Sequence, residues 1–193
     1  MNTQVLIDTA RTLVSGDKGL LAMDESNPTC NKRFARVGIP QTEGSRRAYR
    51  ELIVTTPGLG ESISGAILYD ETIRQQKKDG ILFVKVLVDA GIIPGIKVDT
   101  GAKDMAGFPG EKVTEGLDGL RDRLAEYSRM GARFAKWRAV IAVGDSIPSG
   151  AASTPTRMRW LTTPRFARTR DWFRSSSRKC LWTASIPWSG ATR

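Results

Sequence analysis

Short apolar runs alternate with helical segments along the first 148 residues, and this alternation is what most constrains the fold. GLLAM (19–23), SGAILY (64–69), GIKVDTG (95–101) and RFAKWRAVIAV (133–143) read as strands. Between them, residues 3–14 place Val5, Leu6, Ala10, Leu13 and Val14 on one side of a helix. Residues 43–54 repeat the pattern with Tyr49, Leu52 and Ile53. In residues 115–130, Leu117, Leu120, Leu124 and Tyr127 form an apolar stripe, with Gly131 placed to end the helix. ILFVKVLV (81–88) reads as a strand or loop. Strands separated by helices call for a parallel sheet with crossover helices. An open doubly wound sheet and a (β/α)₈ barrel both satisfy that pattern.

Three of the four strands finish in charge. Asp24 directly follows GLLAM, Lys97 and Asp99 lie two apart on one face of the third strand, and Lys136 and Arg138 do the same on the fourth. Each has an ordinary structural explanation: Asp24 as a helix N-cap, Lys97 and Lys136 as solvent-seeking side chains on edge strands. The repetition of the habit on three strands favours a shared anionic-ligand pocket, because α/β enzymes build their sites at the C-terminal ends of parallel strands. Converging lysine and arginine suit a phosphate-bearing substrate. A lysine among other cations suits imine chemistry.

The net charge of +10 suggests nucleic acid until it is divided along the chain. Residues 150–193 carry nine Lys or Arg against one acid, whereas residues 1–149 carry 21 against 19. Trp160, Trp172, Trp182 and Trp188 lie in the same basic tail. Its Arg, Ser and Trp content resembles a single-strand nucleic-acid binder in composition, without alternation or helical period. Cys30 and Cys180 form no disulfide framework or zinc spacing. The N-terminus lacks the layout of a signal peptide, and no run reaches the ~18 apolar residues of a membrane helix. A cytoplasmic protein is the expectation.

The charged strand ends sit in longer strings, LLAMDESNPTCNKR (20–33), GIKVDTG (95–101), TEGLDGL (114–120) and GARFAKWR (131–138). Together, in this order and spacing, they resemble class I fructose-bisphosphate aldolase over about residues 8–148. The resemblance implies a (β/α)₈ TIM barrel. With four strands ending by residue 143, it implies that about the first four βα units are present. It also implies a glycolytic lyase that cleaves fructose 1,6-bisphosphate reversibly to dihydroxyacetone phosphate and glyceraldehyde 3-phosphate. The implied reaction runs through a lysine Schiff base, with no metal and no cofactor. By position, Asp24 matches an aspartate that assists proton transfer, and Lys136 a lysine of the carbinolamine steps. Ser26, Thr29, Lys32 and Arg33 match a substrate-holding loop, Lys97 and Asp99 a substrate-binding pair, and Arg138 a phosphate-binding arginine. The implied partners are sugar phosphates, with no nucleic acid and no membrane, and a homo-oligomeric full-length parent.

The imine-forming lysine and the acid–base glutamates of the family match nothing in this chain. A frameshift explains why. With suitable codons for Trp172–Cys180, starting each triplet one base earlier yields Val-Pro-Ile-Val-Glu-Pro-Glu-Val, which resembles the family's fifth strand. The expectation is therefore an aldolase half-barrel over 1–149 followed by an out-of-frame, coil-like tail over 150–193. That tail adds no strand and leaves the fourth strand's edge open, and the chain itself is inactive. The alternatives are a non-catalytic fragment that binds partners and a basic nucleic-acid-binding protein.

Overall fold

The computed structural model of the chain describes residues 3–152 and 179–185. Four parallel strands form the body of the sheet: β1 (Gly19–Met23), β2 (Ile63–Leu68), β3 (Ile93–Lys97) and β6 (Phe134–Val140), in the order β1-β2-β3-β6. A hairpin, β4 (Gly101–Asp104) against β5 (Lys112–Glu115), stands after β3 as a separate two-stranded sheet. The helices are α1 (Thr3–Val14), α2 (Asn27–Ala35), α3 (Glu43–Val54), α4 (Leu59–Ser62), α5 (Asp70–Arg74), α6 (Phe83–Asp89) and α7 (Leu120–Arg129).

Both faces of the sheet are covered, as a parallel sheet requires. On one face Leu68, Ile96, Ala135 and Trp137 pack with Val54 of α3, Phe83 and Leu87 of α6, and Leu120 and Tyr127 of α7. On the other, Ile67 and Phe134 meet Leu13 of α1, with Ile93 against them. Side chains alternate along a strand, so Lys136 and Arg138 share the face of Phe134, and Lys97 that of Ile93 and Gly95. This second face is therefore apolar towards the strand starts and charged towards their ends. Gly95 makes the apolar half possible: a Cβ there would lie 2.3 Å from Phe134 Cζ.

The structure corrects several expectations. Residues 83–89 are helix α6, because Phe83, Val84 and Leu87 fall on one helical face and are all buried. Helix α7 begins at Leu120 rather than 115, since 112–115 are drawn into the hairpin and Gly116 and Gly119 take positive φ. On α3 the buried face carries Arg46, Arg50 and Val54, while Leu52 is 71% exposed. On α1, Val14 points to solvent.

The basic tail is corrected as well. Residues 179–185 form β7 (Lys179–Ser185), antiparallel to β6 along its whole length, from Phe134↔Ser185 to Val140↔Lys179. An open edge presents a row of unpaired N–H and C=O groups, and this segment satisfies them. The expectations of a strandless tail and an open β6 edge therefore do not hold. The remainder of the tail's expected coil lies outside the described residues.

Gly95→Ala should destabilise the chain by about 1–3 kcal/mol, the usual cost of overpacking, because the fully buried Phe134 ring would have to shift. The midpoint of urea unfolding measures this; an unchanged midpoint would show that the ring yields freely.

Candidate active site at the strand ends

The charged half of the second face assembles around two ion pairs. Asp24 follows β1 immediately and accepts a hydrogen bond at Oδ2 from Lys136 Nζ of β6. Asp24 and Lys136 are 8% and 7% exposed. In the sheet β2 and β3 lie between β1 and β6. Three strand spacings in a flat sheet amount to roughly 14 Å, beyond the combined reach of the two side chains. The contact forms because the sheet curls towards this face.

Lys97 sits directly opposite Lys136 in the β3–β6 register. Two adjacent ammonium groups need separate counter-charges, and Asp99 supplies the second. Its Oδ1 lies 2.9 Å from Lys97 Nζ, while Lys97 also donates to the Asp99 carbonyl at 2.8 Å. Asp99 Oδ2 accepts from the backbone N–H of Arg138 at 3.1 Å, which ties the end of β3 to β6. Arg138 Nε is buried and has no hydrogen-bond partner among the described residues. Arg123 of α7 steadies the same region by donating to the carbonyls of Val98, at 3.1 Å, and Gly116.

The structure thus brings Asp24, Lys97, Asp99, Lys136 and Arg138 together. Ser26, Thr29, Lys32 and Arg33 form a second group on the turn after β1 and on α2. Ser26 Oγ and Thr29 Oγ1 are 3.0 Å apart, and Lys32 and Thr29 are exposed. Arg33 is bound to Glu25 rather than to the central ion pairs. Glu25 and its second partner, Arg50, were not singled out in the sequence. Burial opposes ionisation of Glu25, but the Arg50 hydrogen bond, with the charges of Arg50 and Arg33, outweighs it and holds the carboxyl below its ordinary value. Burial pushes the neighbouring Cys30 thiol up.

Chemically, the centre offers a carboxylate and an ammonium in direct contact, able to pass a proton, beside a guanidinium and a second ammonium that suit an anion. Among the described residues no group of three His, Cys, Asp or Glu side chains is placed to hold a metal ion, and no helix is long and apolar enough to cross a membrane.

A family model described as fructose-bisphosphate aldolase class-I matches residues 5–162. A probable fructose-bisphosphate aldolase class 1 of Xanthomonas campestris pv. campestris is 63% identical over 150 residues, covering 78% of this chain and 45% of that protein. The chloroplastic fructose-bisphosphate aldolase 3 of Arabidopsis thaliana is 55% identical over 138 residues, covering 72% of this chain and 35% of its own length. Among solved structures, the fructose-bisphosphate aldolase of Plasmodium falciparum, crystallised with TRAP and a small-molecule inhibitor, superposes with a TM-score of 0.77 at 44% identity. That match covers 79% of this chain and 45% of the other. The chain spans less than half the length of these relatives.

Two measurements follow from the geometry. Lys136→Met leaves the Asp24 charge buried and unpaired, and should cost about 3–5 kcal/mol in urea unfolding. The Asp24→Asn/Lys136→Met double variant should cost less than Lys136→Met alone; additive losses would show that the pair is not coupled. The second concerns Glu25, whose folded pKa lies below the ordinary 4.5. Its contribution to stability is full above that ordinary value and disappears as pH falls through the depressed one. The stability advantage of the wild type over Glu25→Gln should therefore level off above about pH 4.5 and shrink on acidification. A pH-independent difference would remove Glu25 as the source.

Proposed function

Because the chain belongs to the class I fructose-bisphosphate aldolase family, we propose that its strand-end cluster is the first half of an aldolase site and binds ketose bisphosphate. The observation that carries the reading is the buried Asp24–Lys136 pair with Lys97 and Arg138 beside it on one curled face. Asp24 serves proton transfer at the substrate hydroxyl during carbon–carbon cleavage, and Lys136 assists at the carbinolamine. Arg138, Lys97, Ser26, Thr29, Lys32 and Arg33 hold the phosphates and hydroxyls, and Asp99 orients Lys97. The parent reaction is the reversible cleavage of fructose 1,6-bisphosphate to dihydroxyacetone phosphate and glyceraldehyde 3-phosphate.

These 193 residues bind without turnover. The family's reaction needs an imine-forming lysine on a later strand and an acid–base pair of glutamates, and no glutamate follows Glu126 in this sequence. The out-of-frame origin of residues 150–193 accounts for this. It is supported by the concentration of basic charge there and by the antiparallel direction of β7, where a barrel's next strand runs parallel. A cytosolic site of action fits the free, buried Cys30.

Titration calorimetry should detect fructose 1,6-bisphosphate binding to the chain, weakened about tenfold or more by Arg138→Ala, the scale of a lost charge-assisted contact. Borohydride reduction in the presence of dihydroxyacetone phosphate should label no lysine. A stoichiometric adduct at Lys136 or Lys97 would overturn the absence of turnover, and no bisphosphate binding would overturn the site.

A further inference from the structure

Helix α3 buries two arginines one turn apart, and they do different things. Arg46 pairs with Glu71 through Nε at 2.8 Å and Nη2 at 2.7 Å, and donates to Asn31 Oδ1 at 3.0 Å. Arg50, 2% exposed, directs its guanidinium at the segment that follows Asp24. Its Nη1 donates to Glu25 Oε2 at 2.6 Å, and its Nη2 to the Glu25 carbonyl at 2.8 Å and to Cys30 Sγ at 3.2 Å. The other carboxylate oxygen of Glu25 carries Arg33, whose side chain is 58% exposed.

Glu25 therefore stands between a fixed cation and a free one. Arg50 cannot leave without stranding a buried charge, whereas Arg33 exchanges partners at the surface with little loss. A phosphate arriving at the site competes with Glu25 for Arg33. Once Arg33 turns to it, only Arg50 still anchors the Glu25 backbone and carboxylate, and the neighbouring peptide carries Asp24. We propose that Arg50 is a positioning residue of the sugar-phosphate site: acting through Glu25, it keeps Asp24 aimed at Lys136 while Arg33 changes from carboxylate to phosphate. The inference rests on the bisphosphate-binding reading above. Lysine cannot replace it, because a single ammonium does not span the carboxylate and the carbonyl together.

Arg46 supplies the matched control, since it is equally part of the buried face of α3 but its partners are Glu71 and Asn31. Affinity for fructose 1,6-bisphosphate, measured by calorimetry on the full chain well below each variant's Tm, should fall tenfold or more in Arg50→Lys. In Arg46→Lys it should stay within threefold for a comparable loss of Tm. Glu25→Gln, which keeps the side-chain shape should Arg50→Lys fail to fold, should weaken binding as well. Equal losses in the two arginine variants, or tighter binding in Glu25→Gln, would overturn the proposal; tighter binding would make Glu25 a mere competitor for Arg33. Alkylation of Cys30, resolved from Cys180 by peptide mapping, is the second measurement. It should be slow in the wild type and at least tenfold faster in Arg50→Lys and Glu25→Gln. Unchanged protection would overturn the positioning role. If the wild type binds no bisphosphate, the sugar-phosphate reading fails separately, and Cys30 protection still decides whether Arg50 holds this segment.

Discussion

The hydrogen-bonded pair of Asp24 and Lys136 joins the first parallel strand to the fourth across two others, and this fixes the curvature of the sheet. A flat arrangement would separate the two charges and leave each buried alone, a penalty of several kcal/mol per ion. Bending the sheet until they meet removes that penalty and also draws Lys97, Asp99 and Arg138 inward. The apolar half of the same face makes the bend possible. Gly65 and Gly95 have no side chains there, so Leu13 and the Phe134 ring fill the inside of the curve.

Much of this was legible in the chain. β1, β2, β6 and helices α1 and α3 announce themselves by period, and Asp24, Lys97, Asp99, Lys136 and Arg138 stand out because charge at the end of an apolar strand is conspicuous. What escaped has physical reasons. In α6 the run FVKVLVD is β-branched enough to read as extended, and burial of one helical face overrides that propensity. The start of α7 was hidden by the pairing of β5 with β4, a contact that no local pattern encodes.

The arginines of α3 are the most instructive miss. Arg46 and Arg50 sit where hydrophobic reading puts solvated residues, and the more apolar Leu52 faces water instead. Their burial depends on Glu25 and Glu71, each about two dozen residues away, with fixed carboxylates waiting. A sequence shows that a charge exists but not that its partner is in reach. Charge pairs between elements are therefore the part of such a site that must be seen rather than read.

The direction of β7 has a geometric consequence of its own. In a parallel (β/α) sheet every strand delivers its C-terminal end to the same rim, and that is how Asp24, Lys97 and Arg138 come to meet. β7 runs the other way, with Ser185 beside Phe134 and Lys179 beside Val140. Its polypeptide enters at the chemical rim and departs at the opposite one. The β6 edge is thereby paired while, among the described residues, four strands end at the chemical rim: a scaffold widened mechanically without being extended chemically.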